Sequence, residues 1–145
     1  PSNKEYYKEN LATFTEQLNN LDNEFKTQLS NVSNKKIVVS HEAYSYLCSA
    51  YGLEQTSIDG ISADSEPSPA KMKEIADYIK ANNVKYIFFE ELVSPKIAQS
   101  LADETGVQLL ALNPFEGLEQ EDIDNGADYI SVMEENLKNL VTALK

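Results

Sequence analysis

The amino-acid sequence is poor in basic residues, in cysteine and in long apolar stretches. Its twelve basic residues are all lysine and face 24 acidic residues, which gives a formal net charge of −12. Because the phosphates of nucleic acid require a basic surface, this balance argues against nucleic acid as a partner. The single cysteine, Cys48, excludes an internal disulfide, and its apolar surroundings in the sequence predict a buried thiol. No apolar stretch approaches the length of about 18–20 residues that spans a bilayer.

The sequence also lacks the short motifs of common enzyme classes. It contains no G-x-S-x-G and neither of the phosphate-binding patterns G-x-x-x-x-G-K-[ST] and G-x-G-x-x-G. Since His41 is the only histidine, a Ser/His or Cys/His catalytic pair would have to use it. These absences favour a binding protein over an enzyme, and a metal-dependent hydrolase stays open as an alternative.

Acidic residues are concentrated late in the chain. Between Lys96 and Lys138 there are ten acids and no basic residue. Such a region is either a solvated face that aids solubility or the source of a field that draws cations toward one end of the molecule. The sequence leaves both interpretations open.

The first thirty residues predict one long helix. Its apolar residues recur at steps of three and four. They are Tyr7, Leu11, Phe14, Leu18, Leu21, Phe25 and Leu29. Ser2 and Glu5 have the spacing of a capping box at its start. At 1.5 Å per residue the helix would be about 39 Å long, more than a compact domain of this size needs. We expect it to lie strapped across the domain, although its apolar stripe could instead pair with a second chain.

After residue 33 the pattern changes to alternating strands and helices, so we divide the chain into a long helix at 1–33 and an α/β lobe at 34–145. Strands are predicted at 36–40, 55–61, 84–90 and 107–113. Helices are predicted at 42–51, 68–82, 94–104, 119–125 and 128–144, and Ser68 and Ser94 are the expected N-caps of two of them. Short apolar strands separated by helices predict a four-stranded parallel sheet with helices on both faces.

A short list of side chains, most of them polar, stands at or near the carboxyl end of each predicted strand. In order of the strands they are Ser40 and His41; Asp59, Asp64 and Glu66; Glu90 and Glu91; and Asn113, Phe115 and Glu116. Ligands of open parallel sheets bind outside the carboxyl ends of the strands. One imidazole and several carboxylates at one rim indicate either metal binding or acid–base chemistry.

His41 is the most informative of these residues. We expect it in the first turn of the helix at 42–51, where the helix dipole would keep the ring neutral and able to bind a transition metal. A surface histidine beside a helix cap would have the same spacing. Glu116, between Pro114 and Gly117, is either aimed at the rim by a turn or a solvated loop acid. Glu90 could orient His41 or cap a helix, and Ser40 is a further candidate to support the ligands.

Several separate blocks of the sequence resemble a known family. They are "VVSHEAYSYLCSAYGLEQTSIDGISADSEPSP", "YIFFEELVSPKIAQSLADETGVQLLALNPFEGL" and "YISVMEENLKNL". These blocks resemble the carboxyl-terminal lobe of the zinc-binding solute-binding lipoproteins of bacterial ABC zinc/manganese importers. The opening "PSNKEYYKENLATFTEQLNNLDNEF" resembles the rigid helix that joins the two lobes of that family.

The resemblance implies an extracytoplasmic protein, lipid-anchored or periplasmic, that captures Zn²⁺ between two lobes and delivers it to a membrane permease. It implies that His41 and Glu116 are the metal ligands of this lobe. Manganese-preferring relatives tend to have an acid at the position of His41, so Zn²⁺ is expected over Mn²⁺. The amino-terminal lobe with its histidines is missing, so we expect a fragment with an incomplete site. A surface adhesin is the other alternative, because members of the wider family have been viewed as adhesins.

Overall fold

The computed structural model describes residues 2–59 and 67–145. Its strands are β1 (Lys36–Val39), β2 (Glu54–Ser57), β3 (Tyr86–Phe89) and β4 (Gln108–Ala111). Its helices are α1 (Lys4–Ser30), α2 (Ser45–Tyr51), α3 (Pro69–Ala81), α4 (Lys96–Thr105), α5 (Gln120–Asp124) and α6 (Tyr129–Leu144). The strands form a parallel sheet in the order β2-β1-β3-β4, which confirms the predicted α/β architecture.

The strand order contains one reversal, between β1 and β3. The chain passes from β1 to β2 on one side and then returns to place β3 on the other side of β1. Val39 of β1 is in register with Phe88 of β3, and the N–H of Ser40 donates to the carbonyl of Phe88 at 3.1 Å. Such a reversal leaves a crevice at the carboxyl ends of the two strands, where ligands of open α/β sheets bind.

The helices cover both faces of the sheet and form two apolar clusters. Because successive side chains of a strand point to opposite faces, Val38 packs with helices α3 and α4, whereas Val39 packs with α1, α2 and α6. Cys48 is buried in the second of these clusters, as predicted. The prediction of helices on both faces is confirmed.

Helix α1 packs on the lobe only through its carboxyl-terminal half. Leu21, Phe25 and Leu29 are buried, whereas Tyr7 and Phe14 in the other half are exposed by 64% and 44%. The prediction of a helix strapped across the domain therefore holds only for the last turns of α1, because the sheet and its covering helices do not reach its amino-terminal half. The predicted capping box is also wrong, since the N-cap is Asn3 and no side chain accepts there. Of the helices in the described residues, none is both long and apolar enough to cross a membrane.

Of the two helix caps predicted at serine residues, one is confirmed and the other is wrong. The hydroxyl of Ser68 accepts from the N–H of Lys71 at 3.2 Å, as its position before Pro69 predicts. The equivalent prediction for Ser94 is wrong, because a turn closed by the N–H of Val93 on the carbonyl of Glu90 delays the start of α4 to Lys96. Strand β2 ends at Ser57, so the strand predicted at 55–61 is wrong at residues 58 and 59, which form a bend, and its last two residues lie outside the described residues.

Candidate functional site

His41 lies in the bend that follows β1 and is 7% exposed. Its carbonyl accepts from the N–H of Ala43 at 2.9 Å, and the N–H of Tyr44 donates to the side chain of Gln55 at 3.2 Å. These contacts hold the chain in a tight turn, so α2 begins only at Ser45. The prediction that His41 stands in the first helical turn is wrong, and the helix-dipole argument for a neutral ring fails with it, since that effect is confined to the terminal turn.

The ring of His41 is in contact with Glu90, which follows β3. Its Nδ1 lies 2.5 Å from Oε1 of Glu90, within hydrogen-bond distance. Glu90 is only 5% exposed, whereas Glu91 is exposed, so Glu90 is the acid that turns inward. This contact occupies the Nδ1 side of the ring and leaves Nε2 as the nitrogen that can bind a ligand.

The charge state of Glu90 depends on opposing effects. Burial raises the pKa of its carboxyl above the ordinary value, and the adjacent His41 ring lowers it. The negative charge of Glu116 acts in the same direction as burial, and the net pKa of Glu90 is raised. Glu116 is therefore close enough to Glu90 to affect its ionisation.

Two other strand-end residues lie beside His41. The hydroxyl of Ser40 donates to the carbonyl of Phe88 at 3.3 Å, a contact that joins β1 to β3 and does not involve the His41 ring. The N–H of Asp59, after β2, donates to the carbonyl of Ser40 at 2.9 Å. Burial raises the pKa of the Asp59 carboxyl, and the charge of the nearby His41 lowers it in part. Asp64 and Glu66 lie outside the described residues.

Glu116 occupies the loop that follows β4. The side-chain oxygen of Asn113 accepts from the N–H of Phe115 at 2.8 Å, and Phe115 adopts a left-handed backbone conformation with φ of 60°. Glu116 is exposed, and it lines with Glu90 a small hollow of about 40 Å³ between the loops after β3 and β4. The structure thus places Glu116 at the rim that His41 and Glu90 share, while its role as a ligand stays a prediction.

Some residues of this region were missed by sequence reasoning. Tyr44 is buried, and its hydroxyl donates to the carbonyl of Leu112 at 2.5 Å, just before the Glu116 loop. Burial and the charges of Glu90 and Glu116 raise the pKa of this phenol. Asn136 of α6 is 4% exposed and binds the backbone of Asn113. An amide among the apolar residues of a helix was the one sequence signal that could have pointed to Asn136.

The described residues of this lobe offer few ligands for a metal ion. Across residues 2–59 and 67–145, no three His, Cys, Asp or Glu side chains are grouped closely enough to hold one. Zinc sites in proteins have three or four protein ligands, of which imidazole and carboxylate are common types. His41 and Glu116 have suitable chemistry for zinc and would supply part of such a set.

Comparison with known proteins relates the chain to zinc-uptake proteins. Residues 1–143 match the family model of ZnuA, described as zinc-uptake complex component A periplasmic. The zinc-binding lipoprotein AdcA of Streptococcus pneumoniae is 44% identical over 140 residues, which are 97% of this chain and 28% of that protein. The chain therefore spans less than a third of the length of this curated relative.

Two solved structures have the same fold over almost all of this chain. The Zn(II)-bound ZnuA-like domain of Streptococcus pneumoniae AdcA is 43% identical with a TM-score of 0.83, over 99% of this chain and 54% of that one. The laminin-binding protein Lbp of Streptococcus pyogenes is 38% identical with a TM-score of 0.88, over 100% of this chain and 56% of that one. The chain thus corresponds to about half of each structure.

Proposed function

The chain belongs to the ZnuA family of zinc-uptake components, and on that basis we propose that it is the carboxyl-terminal lobe of an extracytoplasmic zinc-binding protein. The observation that carries this proposal is the His41–Glu90 contact at the reversal of strand order. A buried imidazole with a carboxylate on Nδ1, at the crevice where such sheets bind ligands, is the usual arrangement of a metal-binding histidine.

Zinc is the ion that these donors favour. His41 would coordinate through Nε2, and the contact of Glu90 with Nδ1 would fix the orientation of the ring. Glu116, at the same rim, would be a second ligand or accept a hydrogen bond from a metal-bound water. Imidazole suits Zn²⁺, whereas Mn²⁺ prefers a set of oxygen ligands, so Mn²⁺ is the weaker candidate.

A preceding lobe would supply the remaining ligands. The proposal is supported by the exposed amino-terminal half of α1, where Tyr7, Leu11 and Phe14 form an apolar stripe that this lobe leaves uncovered. We infer that the stripe packs against the other lobe and that zinc is held in the cleft between the two. The whole protein would then deliver zinc to an ABC permease, acting by binding and not by catalysis. It would do so either in the periplasm or anchored to the membrane by lipid, as the name of the AdcA relative indicates.

Adhesion to a host protein is a second candidate function. It is favoured by the similarity to the laminin-binding protein Lbp. Laminin immobilised on a surface should retain the two-lobed protein at the same level with zinc and with a chelator if adhesion uses a surface separate from the metal site. An absence of retention in both conditions would refute it.

Zinc affinity of the two-lobed protein tests the proposed function. His41→Ala should weaken zinc binding by about 100-fold or more, because loss of a ligand exceeds the 10- to 100-fold effect of groups that support one. Glu42→Ala, at the adjacent exposed position, is the matched control and should leave affinity unchanged. Competition with a fluorescent zinc chelator measures both. Equal affinities of wild type and His41→Ala would overturn the assignment.

A further inference from the structure

Asn136 is the one amide of the lobe's described residues that is both buried and bound twice to a single loop residue. Its side-chain oxygen accepts from the N–H of Asn113 at 2.8 Å, and its side-chain N–H donates to the carbonyl of Asn113 at 2.7 Å. The residue is 4% exposed. Helix α6 therefore holds the chain at the point where β4 ends and the loop of Glu116 begins.

The loop continues from Asn113 through an unfavourable backbone conformation. The Asn113 side chain accepts from the N–H of Phe115, whose φ of 60° is costly for a residue with a side chain. The ring of Phe115 stacks edge-on against Tyr129 with centroids 5.3 Å apart. Tyr129 opens α6 and lies about two turns before Asn136, so the same side of the helix contacts the loop at two points.

We propose that Asn136 is a positioning residue for Glu116 and thereby sets the zinc affinity of the site. The inference rests on the proposed function, in which Glu116 contributes to metal binding. A left-handed conformation at Phe115 persists only while its surroundings impose it. Without the Asn136 amide, Asn113 loses its fixed orientation, Phe115 relaxes to a common φ, and Glu116 moves away from Glu90.

Asn139 provides a matched control on the same helix. Its side-chain N–H donates to the carbonyl of Ala111 at 3.0 Å, so it also ties α6 to β4. Ala111 is the last residue of the strand and stands before the loop, in pairing with Phe89 of β3. Loss of this bond weakens the contact between α6 and the sheet, whereas the hydrogen bonds between Asn136 and the loop remain.

The test compares zinc affinities of single and double variants of the two-lobed protein by chelator competition. Asn136→Ala should weaken binding about tenfold, at the lower end of the range for groups that orient ligands, and Asn139→Ala should stay within about twofold of wild type. In a Glu116→Ala background, Asn136→Ala should have no further effect, because coupled residues are non-additive. A full tenfold loss in that background would overturn the inference.

Failure of this inference can be told apart from failure of the proposed function. If Glu116→Ala leaves zinc affinity unchanged, the proposed ligand role of Glu116 is refuted, and the inference with it. If Glu116→Ala weakens binding and Asn136→Ala does not, only the inference is refuted.

Hydrogen exchange of the metal-free protein gives a readout that does not depend on zinc. The N–H of Phe115, which donates to Asn113, should exchange at least tenfold faster in Asn136→Ala and unchanged in Asn139→Ala. If Asn136→Ala does not fold, Asn136→Gln replaces it, since the longer side chain keeps the amide but displaces the loop. In Asn136→Gln, faster exchange at Phe115 together with about threefold weaker zinc binding supports the inference. Exchange and zinc affinity equal to those of the wild type overturn it.

Discussion

The uneven packing of α1 predicts different costs for the same substitution at two positions of one helix. Phe25 is 1% exposed and stacks on Tyr51 with ring centroids 4.9 Å apart, whereas Phe14 is 44% exposed. Replacing a buried phenylalanine by alanine costs about 3–5 kcal/mol, and a surface substitution changes the free energy of unfolding by less than about 0.5 kcal/mol. Phe25→Ala should therefore lower the Tm of this chain by roughly 10 °C and Phe14→Ala by little.

The same pair of variants tests whether a second lobe covers α1. A phenylalanine side chain has about 200 Å² of surface, so an exposed fraction of 44% leaves about 90 Å² for a partner to cover. At 25 cal/mol per Å², this area corresponds to about 2 kcal/mol. We expect Phe14→Ala to cost about that amount in the two-lobed protein and almost nothing in the isolated chain.

Urea unfolding monitored by circular dichroism measures these differences, provided that the dependence of free energy on urea is the same for each variant and its parent. Equal destabilisation by Phe25→Ala and Phe14→Ala in the isolated chain would refute the unequal packing of α1. A cost at Phe14 that stays near zero in the two-lobed protein would refute the inferred contact with the other lobe.

Two further predictions concern a helix cap and the buried thiol. Ser68→Ala should destabilise the chain by about 1 kcal/mol in urea unfolding, because the capping bond to Lys71 is lost. Ser94→Ala should have no comparable effect, since Ser94 caps no helix. Equal costs of the two substitutions would contradict the assigned caps. Burial raises the pKa of Cys48 to about 11, so the folded state disfavours the thiolate. The protonated thiol therefore contributes fully to stability below the unfolded pKa of about 8.5. This contribution is lost as the pH rises from there toward 11. Cys48→Ala should therefore flatten the decline of the unfolding free energy between pH 8.5 and 11, and an unchanged slope would contradict the assignment.

The sequence was sufficient for the architecture because the architecture depends on local patterns. Continuous apolar strands and intervening helices predicted the parallel sheet, and Gly52 and Gly106 end α2 and α4 with the left-handed φ values of 68° and 76° that favour glycine. The errors arose where a distant contact decides the local structure. Gln55, from β2, binds the backbone before α2, and no pattern around His41 reveals that bond.

The candidate site was predicted in part for the same reason. Strand ends brought His41, Glu90 and Glu116 to one rim, as the general rule for parallel sheets requires. The contact between His41 and Glu90 was one of two options for Glu90, and only the pairing of β1 with β3 selects it. The hydrogen bond between Asn136 and Asn113 joins residues that are distant in the sequence, so no periodic pattern predicts it.

The order of the strands places Glu90 in the middle of the rim. Strand β3 lies between β1 and β4, so Glu90 stands between His41 on one side and the Glu116 loop on the other. Burial and the charge of Glu116 both make the ionised form of Glu90 unfavourable, and His41 offsets only part of this cost, because the net pKa of Glu90 remains raised. A divalent cation bound near His41 and Glu116 would stabilise the ionised carboxylates.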